Sequence, residues 1–190
     1  MSDAEIFIIH GSFGSPFENW FPWASSELGR WEGVRCFVPS FPTPKGQNFE
    51  NWGRVLDAYR EIGILNSNSI VIGHSSGAAF ALRYLYSRSL TISCFISVAG
   101  FNNFYSGDED FDKINSEFFF EPEGLDVATL IKSSFSFYSS SDPYLPLSYL
   151  EEFASYVGGT SKSIDRGGHF NDAAGYREFP ELLKALRSQL

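Results

Sequence analysis

Five consecutive residues, Gly73-His74-Ser75-Ser76-Gly77, constrain this chain more than any other stretch. Ahead of them runs Ser69-Ile70-Val71-Ile72, a β-branched apolar run of the kind that forms a strand buried on both faces. Behind them, Ala78-Ala79-Phe80-Ala81-Leu82-Arg83-Tyr84-Leu85 is apolar at helical spacing. The stretch therefore reads as strand, sharp turn, helix. A G-x-S-x-G string is common, and a plain Gly-Ser turn is the simpler reading of it. In this setting it matches a nucleophile elbow, where a serine sits on a strained turn with its hydroxyl above the sheet. The flanking glycines allow strand and helix to approach closely, because a Cβ there would clash.

The 190 residues suit one domain, 1–190, since a chain of that length buries roughly 70% of its unfolded surface. Twenty Phe, nine Tyr and four Trp are many, enough to fill a core or line an apolar pocket. The net charge of −9 argues against nucleic acid and against an anionic membrane surface as partners, since both call for basic patches. Cys36 and Cys94 each lie in a strand-like apolar run and read as buried, reduced thiols. The start is acidic, with no signal-peptide pattern, and no stretch reaches the roughly 18 to 20 apolar residues of a membrane span. A soluble cytoplasmic protein, a monomer or small homo-oligomer, is the expectation.

Along the chain, strands are expected at Glu5 to Ile9, Val34 to Val38, Ser69 to Ile72, Ile92 to Val98, Ser134 to Tyr138 and Thr160 to Ile164. Helices are expected from an Asn19 cap to about Arg30 and from an Asn48 or Asn51 cap to about Ile62, the second burying Trp52, Val55, Leu56 and Tyr59. Others follow the elbow, then near Leu125 to Ile131, Leu147 to Val157 and Phe179 to Leu190. This alternation implies an α/β fold with a mostly parallel sheet of about six strands and helices on both faces. Residues 101–124 break the pattern and read as a small cap insertion over a site.

In open α/β sheets the site lies off the carboxyl ends of the strands, so the loops there are where chemistry belongs. Ser75 follows the third strand, Asp142 the fifth and His169 the sixth, the chain order of α/β-hydrolases. A serine hydroxyl needs a base within reach, and the base needs a carboxylate to hold its tautomer. The chain has three histidines. His74 is expected to pack or hydrogen-bond locally and His10 to brace the loop after the first strand, which leaves His169 as base. Asp165 and Asp172 compete for the acid, but only Asp142 ends a separate strand. The tetrahedral oxyanion is assigned to the backbone N–H groups of Ser12 and Ser76.

The segments Val71-Ile72-Gly73-His74-Ser75-Ser76-Gly77-Ala78, Ser141-Asp142-Pro143-Tyr144-Leu145-Pro146 and Gly168-His169-Phe170, with His10-Gly11-Ser12 and Trp20, resemble the small serine hydrolases related to retinoblastoma-binding protein 9. The resemblance spans nearly the whole chain. It implies a minimal α/β-hydrolase fold with Ser75, Asp142 and His169 as triad, and neither metal nor organic cofactor. Retinoblastoma pocket binding goes with an L-x-C-x-E segment. Val34 and Ile92 stand where its leucine would precede Cys36 and Cys94, so that partner is not carried over.

Asp108, Asp110 and Asp112 alternate as in a calcium loop, but Lys113 and Phe119 stand where the glycine and the bidentate glutamate belong, so no metal is expected. Phe13, Trp20, Phe101 and Phe119 are expected to line an apolar acyl pocket. The function expected is a serine hydrolase cleaving a small ester, thioester or amide of a small-molecule acyl substrate. A non-catalytic protein-binding module on a hydrolase scaffold and an acyltransferase are the alternatives.

Overall fold

The computed structural model describes residues 4–121 and 126–190. Six strands, β1 (Ala4–Ile9), β2 (Val34–Phe37), β3 (Ile70–His74), β4 (Ile92–Val98), β5 (Ile131–Tyr138) and β6 (Thr160–Ser163), form one parallel sheet in the order β2-β1-β3-β4-β5-β6. The crossovers carry α1 (Phe21–Leu28), α2 (Phe49–Glu61), α3 (Ser76–Ser87), α4 (Glu109–Ser116), α5 (Val127–Leu130) and α6 (Leu147–Val157); α7 (Pro180–Arg187) closes the chain.

The central strands are mostly apolar because both faces are covered. Successive residues serve opposite faces. Phe7, Ile9, Val71 and Phe95 join Trp52 and Leu56 of α2 and the buried face of α3. Ile6, Ile8, Ile72 and Ile96 join Phe21, Ala24 and Leu28 of α1 and Leu182 and Leu186 of α7. The outer strand β6 is short, polar and exposed, which blunts that edge against pairing with another chain. Both thiols are free, and burial pushes the Cys36 thiol up to about 11 and raises that of Cys94. No helix among the described residues is long and apolar enough to cross a membrane.

All six expected strands are present, and the differences from expectation have local causes. Asn19 does not cap α1. Its backbone sits at φ +54°, and its side-chain oxygen accepts from the distant Asp172 N–H at 2.9 Å, so the helix begins after Trp20 and stops at Gly29. Asn48, rather than Asn51, caps α2, accepting from Asn51 N–H at 2.8 Å. Ile131, expected in a helix, opens β5 instead, because it pairs with Ile92 of β4. That leaves α5 as a single turn; Leu125, where it was expected to start, lies outside the described residues. The last helix ends earlier than expected, at Arg187.

Residues 101–121 are not a plain loop, since they contain α4. Asp108 caps it by accepting from Phe111 N–H, and Asp112 accepts from Ser106 and Gly107 N–H. Two of the three alternating aspartates are thus engaged with backbone donors.

Candidate active site

Strand β3 ends at His74 and α3 begins at Ser76, so Ser75 alone makes the turn, at φ +56° and ψ −134°. A non-glycine residue held there stores backbone strain and persists only where its surroundings enforce it. Three contacts do so. A Cβ on Gly73 would stand 2.5 Å from Ala78 Cα, and one on Gly77 only 2.2 Å from the His10 carbonyl oxygen. A Cβ on Gly11 would stand 2.8 Å from Ser75 Cβ, so the loop after β1 lies directly against the serine. Ser75 N–H donates to the Val98 carbonyl at 2.9 Å, tying the turn to β4.

Asp142 follows β5 and His169 follows β6. His169 Nδ1 donates to Asp142 Oδ2 at 2.7 Å, and the Asp142 side chain is fully buried. The other carboxylate oxygen, Oδ1, accepts from Tyr144 N–H at 2.9 Å and Leu145 N–H at 3.1 Å. The carboxylate therefore cannot turn away, and it engages Nδ1 and leaves Nε2 as the ring nitrogen free to face the cleft. Neither Asp165 nor Asp172 takes this place; Asp172 faces Arg177.

Two serines staple the two loops together. Gly167 N–H donates to Ser139 Oγ at 3.0 Å, Gly168 N–H donates to Ser141 Oγ at 3.1 Å, and the two hydroxyls bond each other at 3.0 Å. The run Ser139-Ser140-Ser141 before Asp142 was the available signal, but nothing periodic marks which serines turn inward.

His74 does not act locally, contrary to expectation. Its Nε2 donates across the fold to the His169 carbonyl at 2.8 Å, holding the backbone of that loop. Burial, then the neighbouring His169, pushes the His74 imidazole down to about 3. His10 donates from Nδ1 to the Gly11 carbonyl at 2.8 Å and accepts at Nε2 from Phe41 N–H at 3.2 Å, and burial lowers it too. It braces the loop after β1.

These depressed histidines set a pH dependence. In the unfolded chain His74 titrates near its ordinary value of about 6.5, while in the fold it stays neutral to about 3. Between those limits the unfolded state binds the extra proton, so His74's contribution is complete above the upper value and is lost as pH falls. This group alone removes about 1.4 kcal/mol per pH unit there, or about 3 to 5 °C of Tm. Melting His74→Gln beside the wild type from pH 7 to 4 checks it: the variant starts lower and falls less steeply. Parallel curves would sink the assignment.

A cleft of about 330 Å³ opens above the sheet, lined by Ser75, His169 and His74, by Gly11, Ser12 and Phe13 after β1, by Phe101 after β4 and by Phe111 and Asn115 of α4. Tyr144 and Leu145 complete its apolar wall, with the Tyr144 ring edge-on to His169 at 5.2 Å. Of the expected pocket residues, Phe13 and Phe101 reach the cleft and Trp20 and Phe119 do not. Trp20 is fully buried, donates to the Phe170 carbonyl at 3.1 Å and packs against His74. Phe119 packs edge-on behind Phe101, at 5.9 Å. Phe111, stacked at 6.3 Å on Phe13, is the aromatic that sequence reasoning missed. Its spacing from Asn115, one helical turn, was the signal.

The chain matches the serine hydrolase family model over residues 6–188. It is 26% identical over 186 residues to the YdeN protein of Bacillus subtilis (strain 168), covering 97% of this chain and 95% of that one. It is 24% identical over 193 residues to the serine hydrolase RBBP9 of Rattus norvegicus, covering 100% and 97%. The crystal structure of the B. subtilis ydeN gene product superposes with a TM-score of 0.84 at 25% identity over 98% of each chain. A lipase-esterase related protein from Clostridium acetobutylicum ATCC 824 shares the fold, with a TM-score of 0.69 at 14% identity over 100% of this chain and 95% of that one. With an elbow serine, a carboxylate-bound histidine and relatives aligned end to end, the chain belongs to the serine hydrolase family and is an enzyme of the α/β-hydrolase fold.

Proposed function

We propose that this enzyme cleaves a small carboxylic ester, thioester or amide through an acyl-enzyme on Ser75, with His169 as base and Asp142 as its orienting carboxylate. The observation that carries the reading is the 2.7 Å bond from His169 Nδ1 to the fully buried carboxylate of Asp142, with His169 and the strained Ser75 lining one cleft. His169 Nε2 takes the Ser75 proton as the hydroxyl attacks the carbonyl carbon and returns it to the leaving group. Water then repeats the sequence to free the acid. Among the cleft residues there is no Arg or Lys, and Glu18 is the single carboxylate, which favours an uncharged acyl group.

Intact-mass and peptide mapping after treatment with a fluorophosphonate probe tests the reading, because only a base-activated serine reacts with it. One adduct on Ser75, lost in His169→Ala, is expected. No adduct on folded protein, or an adduct elsewhere, overturns it.

The apolar wall gives a second expected result. Phe111→Ala raises KM for a long acyl ester about five- to tenfold more than for an acetate ester, the loss of part of one phenyl contact. Phe119→Ala, behind the wall, leaves that ratio unchanged. Equal effects of Phe111→Ala on both esters would remove Phe111 from the acyl site.

A further inference from the structure

The Ser12 N–H, assigned above to an oxyanion, already has a partner: it donates to the Ser76 hydroxyl oxygen at 2.9 Å. The protons around it can be counted. Asn115 Oδ1 only accepts, so the single Ser12 hydroxyl proton goes there, at 2.8 Å. The 2.8 Å contact between the two serine hydroxyls therefore has Ser76 as donor. Gln47 Nε2 donates to Ser12 Oγ at 2.6 Å and to the Ile114 carbonyl at 3.0 Å. Thr43 orients that amide, accepting from Phe13 N–H at 2.8 Å and donating to Gln47 Oε1 at 2.6 Å. Ser76 is fully buried, Asn115 and Gln47 nearly so. Both N–H groups that follow Gly11 are thus held by side chains in the resting enzyme.

We propose that the Ser76 side chain gates the oxyanion site. At rest its hydroxyl occupies the Ser12 N–H, and it must turn about its Cα–Cβ bond before that N–H can meet the developing oxyanion. The inference rests on the acyl-enzyme reading of Ser75 above. When the Ser75 oxygen bonds to the carbonyl carbon, the π pair moves to the carbonyl oxygen and the Ser75 proton moves to His169. Ser12 N–H then exchanges one acceptor for another, and Ser76 keeps its proton throughout. Asn115 and Gln47 act through Ser12 as positioning residues that hold the gate shut. Asn115 also joins the gate to α4, whose Phe111 lines the cleft.

The gate predicts a gain on removal. The second-order rate of fluorophosphonate labelling is compared for the wild type, Ser76→Ala and Ser12→Ala, beside hydrogen exchange of the residue-12 amide by NMR. Ser76→Ala frees the N–H, and Ser12→Ala removes the acceptor that holds the Ser76 proton while keeping the backbone donor. Both are expected to label about three- to tenfold faster, the fold-change of one ordinary hydrogen bond, with KM for p-nitrophenyl acetate changed by less than about twofold. The residue-12 amide exchanges faster in Ser76→Ala. Unchanged or slower labelling of folded Ser76→Ala overturns the gate, slower labelling meaning that the hydroxyl itself serves the transition state. If Ser76→Ala does not fold, an unchanged rate in Ser12→Ala overturns it. A wild type that labels normally confines either failure to the gate, whereas a wild type with no Ser75 adduct overturns the acyl-enzyme reading and the gate together.

Discussion

Ser75→Ala is expected to lower turnover of p-nitrophenyl acetate by about four to six orders of magnitude while leaving the melting temperature within a few degrees. The elbow geometry is imposed by Gly11, Gly73 and Gly77 around the serine rather than by its hydroxyl, so the fold survives the change. Asp142→Asn is the more discriminating variant. Oδ1 of Asp142 accepts two backbone N–H groups, so an asparagine must keep its carbonyl there and turn its NH₂ toward His169. Nδ1 then becomes the acceptor, the ring proton moves to Nε2, and the imidazole can no longer take the serine proton. A loss of about 10⁴ in kcat with little change in structure is expected. Steady-state kinetics with a crystal structure of the variant checks it, and activity within about tenfold of wild type would show that Asp142 does not orient the base.

Gly77→Ala is expected to be severely destabilising. Its Cβ would stand 2.2 Å from the His10 carbonyl oxygen and 2.9 Å from both the His10 carbonyl carbon and the Ile9 oxygen. All three atoms are backbone of β1 or its end, a strand paired on both sides, so no side chain can swing aside. The cost is expected at about 3 to 5 kcal/mol, above the usual range for overpacking. That corresponds to a fall of about 10 °C or more in Tm, or to failure to fold. Gly63→Ala is the control. Gly63 sits at positive φ, +77°, and has open space around it. Only the backbone strain of about 1 to 2 kcal/mol is expected there. Equal melting temperatures for the two variants would mean that β1 and α3 can part without loss.

Local signals carried much of the fold. Mostly apolar runs marked the inner strands β1, β3 and β4, the last at its observed bounds, because strands covered on both faces are largely apolar, whereas the edge strand β6 is polar and exposed. The elbow was legible because strand, glycine-flanked serine and helix are contiguous in the chain. Ser75, Asp142 and His169 could be singled out as candidates because parallel strands all deliver their carboxyl ends to one edge of the sheet, and the structure pairs the last two. Sequence was weaker where a residue's partner lies far along the chain. Asn19 has the chemistry of a helix cap, yet its oxygen meets Asp172 N–H instead.

What the sequence by itself determined, then, is the layer architecture, the elbow and the order of the residues at the strand ends, all consequences of short-range periodicity and chain direction. The tertiary structure alone decided that Phe111 rather than Phe119 faces the cleft, that His74 clamps the His169 backbone, and that Ser76 already holds the Ser12 N–H. The reason is physical. These outcomes depend on the paths of the loops after β1, β4 and β6, and a loop's path is set by closure against the finished sheet and by hydrogen bonds between distant residues, neither of which leaves a period in the chain.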